Sequence, residues 1–267
     1  MSDEAEDTGS DSSVDLQAWW TDTGAAAAFL TKLPIDGGAA RDLRRLARAS
    51  RTFPLIGLGV GLAGGIVYAV AHGLSLDPTI AAILAVSATI LLTGGLHEDG
   101  LADVADGFGG GDDREAKLRI MRDSRIGTFG VIAVVLALAV RIAALSAIGA
   151  AEGSSAVIAA MIACHAASRA FIVVVMEREP LARVDGMAAT AGRPTQPTAL
   201  WALGIGVVIA LLCESLAAFV ALAVGAAIAW IIAWLARRQI GGQTGDVLGT
   251  VQQGTEIGML LALAALA

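Results

Sequence analysis

"DPTIAAILAVSATILLTGGLHEDGLADVADGFGGGDDREAKLRIMRDSRIGTFGVIAVVLALAVRIAALSAIG" runs from Asp77 to Gly149. Its two apolar ends, 77–96 and 127–149, are each long enough to cross a bilayer as a helix, which takes roughly 20 residues over about 30 Å of hydrocarbon. Its middle, His97 to Gly130, holds eight of the chain's 25 acidic residues and five of its 18 basic ones. Further apolar runs lie at 53–72, 154–176, 198–213, 215–236 and 247–267. The alternating segments of about ten residues that build a membrane barrel do not occur. The predicted fold is therefore all-α, a polytopic integral membrane helical bundle of about seven transmembrane helices. The fifth run is short, and the last carries Gln252, Gln253 and Glu256 in its first half, which makes it the least apolar candidate.

Composition agrees. The chain is 56% hydrophobic and 16% charged, where soluble domains average about 25% charged. Net charge is −7, but Asp3, Glu4, Glu6, Asp7, Asp11 and Asp15 open the chain without a base, and the remainder is near −1. Residues 1–15 read as a disordered acidic tail, and 16–267 as a single transmembrane catalytic domain. The tail lacks the basic start and apolar core of a signal peptide. No nucleic-acid partner is expected, the lipid bilayer is, and a homo-oligomer is left open. The two cysteines, Cys164 and Cys213, sit in or beside apolar runs and read as buried small hydrophobes.

Lysine and arginine set the topology. Five arginines (41, 44, 45, 48 and 51) precede the first run, and five bases fall between the second and third. Arg178, Arg183 and Arg193 follow the fourth, and Arg237 and Arg238 the sixth, whereas the connections near 73–76, 150–153 and 214 contain none. Under the positive-inside rule every charged loop is cytoplasmic. The expectation is a multi-pass protein of the cytoplasmic membrane whose active site faces the cytoplasm. Trp19 to Leu33 reads as a short interfacial helix.

Two of these loops carry candidate chemistry, and two arginines lie within apolar runs. Asp99, Asp103 and Asp106 are spaced four and three, which on a helix continuing the second run gives one carboxylate stripe, with neighbouring Cβ atoms roughly 5–6 Å apart. Hard oxygens so placed suit Mg²⁺ together with substrate phosphate; the alternative is a solvated acidic face. His97 reads equally as an acid/base or phosphate donor and as a hydrogen-bonded boundary residue. "HED" lacks the second histidine of a zinc-protease motif, because position 101 is Leu, and "GFGGG" lacks the Lys of a P-loop. Arg122, Asp123, Ser124 and Arg125 form either a basic anchor at the headgroups or a phosphate clamp in which Asp123 joins the metal. Arg169 shares a helix face with His165, while Arg141 stands without such company. "GGQTG" ends at Gly245, where a helix N-terminus offers free N–H groups to an anion. Asp246 then reads as a metal ligand or as a simple N-cap.

"GGLHEDGLADVADGFGGG" followed by "IMRDSRIGTFG" resembles the signature of the cobalamin synthase family, the adenosylcobinamide-GDP ribazoletransferases. "FLTKLPI" (Phe29–Ile35), "FPLIGLGVG" (Phe53–Gly61), "SRAF" (Ser168–Phe171) and "GGQTGDVLG" (Gly241–Gly249) match its other segments in order, so the resemblance covers all but the tail. Glu98 departs from it, since the family usually has an apolar residue there, typically Leu.

The resemblance implies a Mg²⁺-dependent transfer at the membrane. The 3′-hydroxyl of α-ribazole, or of its 5′-phosphate, attacks the cobinamide-bound phosphate of adenosylcobinamide-GDP, and GMP leaves. Asp99, Asp103, Asp106, Asp123 and Asp246 are the candidate metal ligands, and His97 and Arg125 join the three stripe aspartates as candidate catalytic residues. Arg122, Asp123, Ser124, Arg169 and Gly245 are candidates for binding substrate. The carboxylate spacing is also similar to that of CDP-alcohol phosphotransferases, by analogy alone. A transporter with a cytoplasmic-face ion site is the rival reading, although its charges belong near the bilayer midplane. A non-catalytic scaffold would need no carboxylate stripe.

Overall fold

A chain in lipid must satisfy its backbone within itself, which leaves helices as the economical solution for runs like these. The computed structural model describes residues 15–35 and 43–267. Among the described residues the helices, in chain order, are α1 (Leu16–Leu30), α2 (Leu46–Ala49), α3 (Phe53–Gly73), α4 (Pro78–Thr93), α5 (Leu96–Gly110) and α6 (Arg114–Ile120). There follow α7 (Thr128–Glu152), α8 (Ser154–Arg178), α9 (Met187–Ala191), α10 (Gln196–Glu214), α11 (Ala217–Ile240) and α12 (Gly245–Ala264). The predicted acidic tail lies outside the described residues except for Asp15, which instead caps α1 by accepting a bond from the Ala18 N–H at 3.0 Å. Arg41 also lies outside them.

Five stretches are long and apolar enough to cross a membrane: Leu43–Gly73, α7, α8, α10 and α11. The expected seven are not reached, for two physical reasons. The second predicted run is broken at Gly94 and Gly95, both at φ +70, and α5 turns 90° from α4. The carboxylate helix is therefore no continuation of that run, and counting the bent pair as one span gives six at most. The seventh, α12, fails as a lipid-facing span, yet its Gln252, Gln253 and Glu256 are all buried. Other helices enclose it, so its polar side chains meet one another rather than lipid.

Glycine sets how closely the central helices approach. Gly57, Gly61 and Gly65 form a four-residue repeat along α3 that rests on the α8 backbone. A Cβ at Gly57 or Gly61 would strike the carbonyl of His165 or Met161, and one at Gly65 would lie 2.9 Å from Ile158 Cα. Small residues at such spacing let helix backbones pack where lipid gives no hydrophobic drive. The same device joins α5 to α12, where a Cβ at Gly100 would sit 2.8 Å from the Asp246 carbonyl oxygen. The Thr250 hydroxyl donates to the Gly100 carbonyl at 3.2 Å across this contact.

The charged loops are laced into one layer. Arg114 donates to the carbonyls of Ile240 and Ala182, both at 2.7 Å, tying the start of α6 to the end of α11. The Gln243 N–H donates to Pro180 at 2.8 Å, and the Ala182 N–H donates to Gln243 at 2.9 Å. At the front of the chain, buried Asp22 on α1 pairs with Arg48 at 2.9 Å and Arg51 at 2.7 Å.

Candidate active site

The α5–α12 contact brings residues of two distant motifs together. His97, Asp99 and Gly100 from the start of α5, and Gly245, Asp246 and Gly249 from α12, line a cavity whose other lining residues are apolar. A second, more polar cavity lies on the far side of α5, with Lys32, Thr31 and Glu98 in its wall. Asp99 and Leu96 line both. Asp99 thus stands exposed where the two spaces meet.

Asp103, one turn further along α5, is half-buried. Its carboxyl is pushed up to about 7 by that burial and by the neighbouring charges of Asp99, Asp246 and Asp106, with Arg183 opposing. Like charges crowded in a partly dry site favour the protonated form, and a divalent cation would relieve them. Asp246 accepts a bond from the Thr244 hydroxyl at 3.1 Å and meets Arg183 at 3.4 Å. The helix cap is Thr244, whose side chain accepts from the Val247 N–H. The N-cap alternative for Asp246 therefore falls, and its carboxylate is directed to Arg183 and the acidic neighbours.

The expected stripe of three divides. Asp106 stays next to Asp103 but is buried, and its oxygens accept the Gly127 N–H at 2.6 Å and the Gly130 N–H at 2.8 Å. It caps the N-terminus of α7, satisfying donors that a helix leaves free. Gly127 and Gly130 permit this docking, because a Cβ at either would strike the Asp106 carboxylate.

The proposed phosphate clamp is not brought to this cluster. Arg125 is exposed and bound to Asp123 two residues back at 2.7 Å, which holds the Asp123 carboxyl down to about 2. Arg122 pairs with Asp185 at 2.6 Å, and Ser124 is exposed beside them. Arg169 is placed elsewhere again, in a buried polar knot at the bundle centre. There Arg141 binds Glu98 at 2.9 Å and Glu256 at 2.8 Å, Glu256 meets His165 at 3.1 Å, and Arg169 reaches the His165 ring at 3.0 Å. Gln253 donates to Glu98 at 3.1 Å. His97 touches both this knot and the apolar cavity.

Two cations escaped the sequence reading. Arg183 was counted only for topology, yet it is the base that faces Asp246 and Asp103. Lys32 sits in "FLTKLPI" and lines the polar cavity beside Asp99. Their one signal was position, a lone base in a short segment flanked by turn residues.

Among the described residues no three carboxylate, imidazole or thiol groups close around a single point. Mg²⁺ does not need such a cage, since it usually takes one or two carboxylates and completes its shell with water and phosphate. A pair drawn from Asp99, Asp103 and Asp246 would fit that pattern.

Residues 22–264 match the family model described as cobalamin-5-phosphate synthase. The chain is 46% identical over 241 residues to an adenosylcobinamide-GDP ribazoletransferase of Bradyrhizobium diazoefficiens, covering 90% of this chain and 92% of that one. It is 43% identical over 253 residues to one of Azorhizobium caulinodans, covering 91% and 94%. No solved structure matches. With nearly its whole length matched, the chain belongs to the cobalamin-5-phosphate synthase family.

Proposed function

We propose that this protein joins α-ribazole, or its 5′-phosphate, to adenosylcobinamide-GDP at the cytoplasmic face of the cell membrane, releasing GMP. The ribazole 3′-oxygen bonds to the cobinamide-side phosphorus, the bridging P–O bond to GMP breaks, and the hydroxyl proton passes to a base. The observation that carries this reading is the meeting of the α5 carboxylates with Asp246 and Arg183 beside a cavity, in a chain of this family. The transporter alternative has no support among the relatives.

Asp99, Asp103 and Asp246 would hold Mg²⁺, which when bound neutralises the diphosphate and the leaving GMP. Arg183 supplies a cation for charge developing on the phosphoryl oxygens. Buried His97 is the imidazole that lines this cavity, and it would receive the hydroxyl proton. Asp106 orients α5 against α7, and Gly100 keeps α5 close enough to α12 for the carboxylates to act together.

The test is GMP release by purified protein given both substrates across a Mg²⁺ titration. Asp99→Asn and Asp246→Asn should each lose on the order of 10²-fold in turnover, the scale for removing a preorganised charge contact. Exposed Asp112→Asn should match wild type. Turnover indifferent to Mg²⁺, or equal mild losses at all three positions, would remove the metal site.

A further inference from the structure

Of the two cavities that meet at Asp99, the polar one on the far side of α5 is the larger. It measures about 630 Å³, against about 80 Å³ for the apolar one, and small-molecule sites run from about 300 to 1,000 Å³. Thr31, Lys32, Thr93, Glu98 and Asp99 are the polar residues in its wall, and Lys32 is the one cation among them. Both threonine hydroxyls donate to helix carbonyls, Thr31 to Ala27 at 2.7 Å and Thr93 to Thr89 at 3.0 Å. Glu98 is answered by Arg141 at 2.9 Å. Lys32 has no ion-pair partner among the described residues, although two carboxylates share its cavity. Its stem is nevertheless held. The Lys32 N–H donates to the Leu92 carbonyl at 2.8 Å, and the aliphatic chain lies on Gly94, where a Cβ would strike Lys32 Cε. Gly94 stands at φ +70, so the break that turns α5 also clears the bed for this side chain. A long side chain laid in this way keeps its charged head for the polar space beyond.

We propose that Lys32 holds the diphosphate of the nucleotide-activated substrate, whose nucleotide half occupies this polar cavity while its phosphates meet Asp99 in the shared wall. The assignment rests on the reaction proposed above. Charge selects the occupant. A lone ammonium beside Asp99 and Glu98 needs an anion that brings a divalent cation with it, and a diphosphate chelates one. The second substrate fits less well. Free α-ribazole carries no phosphate for Lys32 to bind, whereas the diphosphate is present in every turnover. A phospholipid headgroup offers a phosphate too, but it would face Asp99 without a chelated metal to offset the repulsion. Paired with the phosphate that leaves as GMP, Lys32 would counter the charge that grows there as the P–O bond breaks.

The experiment measures GDP binding by equilibrium dialysis in detergent, with and without Mg²⁺, beside steady-state GMP release. Lys32→Met keeps a stem on Gly94 and removes the charge. It should weaken GDP binding and lower kcat/KM for adenosylcobinamide-GDP by about tenfold or more each, the scale of a hydrogen bond to a charged group. The KM for α-ribazole should not change. Lys32→Arg should restore most of both losses. Raising the ionic strength should weaken GDP binding to wild type more than to Lys32→Met, because salt screens the pair that the variant lacks. GDP binding unchanged in Lys32→Met overturns the assignment. So does a loss confined to use of α-ribazole 5′-phosphate, which would give Lys32 to the other substrate. Anionic phospholipid that co-purifies with wild type and is lost from Lys32→Met, while GDP binding persists, overturns it as well. Wild-type protein that binds GDP through Lys32 but releases no GMP from the two substrates would sink the proposed reaction and leave the diphosphate site standing.

Discussion

Asp103 sets stability against function. Its folded pKa of about 7 lies above the usual carboxylate value, 3.8. Ionising it in the fold is therefore unfavourable: the cost is absent below the unfolded value, grows from pH 4 to 7 and is complete above 7. Asp103→Asn should raise the melting temperature of metal-free protein at pH 8 but not at pH 4, while turnover falls by on the order of 10²-fold. A melting temperature unchanged at pH 8 would remove the like-charge account. A second ordering concerns the buried knot. Arg141→Leu leaves Glu98 and Glu256 both without their shared cation, whereas Glu98→Leu leaves Arg141 still bound to Glu256. Stripping one side of a buried pair costs about 3–5 kcal/mol, so Arg141→Leu should melt well below Glu98→Leu, and the reverse order would contradict the pairing. Spacing along one helix made Asp99 and Asp103 legible, and a glycine turn made Asp246 so. It could not show Arg141 beside Glu98, or Arg183 beside Asp246, because these pairs form between elements and leave no periodic trace.

At the scale of elements, the apolar runs gave the helices with ends displaced by a few residues, since hydropathy registers burial and length together. The break at Gly94-Gly95 was hidden by apolar residues on both sides, although a Gly-Gly pair is itself a turn signal. That one break changes the site, because it turns α5 across the bundle and onto α12. The glycine repeat of α3 was quoted as a motif, but its purpose, the seam with α8, needed the partner helix. The seam predicts a contrast within a few residues. Gly61→Ala sets a methyl against the Met161 backbone, while nothing lies within 4 Å of a Cβ at Gly59. Overpacking of this kind costs about 1–3 kcal/mol. Gly61→Ala should therefore lower the melting temperature in detergent and broaden the size-exclusion peak, with Gly59→Ala at or above wild type. Equal behaviour of the two would mean that α3 and α8 can part without loss.

The whole molecule has two unlike faces. On one, Arg114, Ala182, Ile240 and Gln243 are laced together and the acidic site opens. On the other, His72 bonds Ser154 at 3.1 Å, and the chain end at Ala267 shares a cavity with Glu152 and Glu214. The arginine census had already sorted the connections into these same two groups, because the rule depends on charge per loop and not on how the helices pack. Since α12 runs from the charged face at Asp246 to the other at Ala267, an odd count of passages separates the charged entry into α3 from the chain end, whether or not α12 meets lipid. If the charged face is cytoplasmic, single cysteines at Gly73, Ala151 and Ala267, in a Cys213→Ser background, should react with an impermeant maleimide on intact cells. Cysteines at Asp112 and Arg238 should react only after the membrane is opened. Buried Cys164 should stay silent throughout. Labelling of Asp112 and Arg238 in intact cells, with Gly73 protected, would invert the molecule. It would put the acidic site where cytoplasmic nucleotide-activated substrates cannot reach it, and the proposed reaction would fail with it.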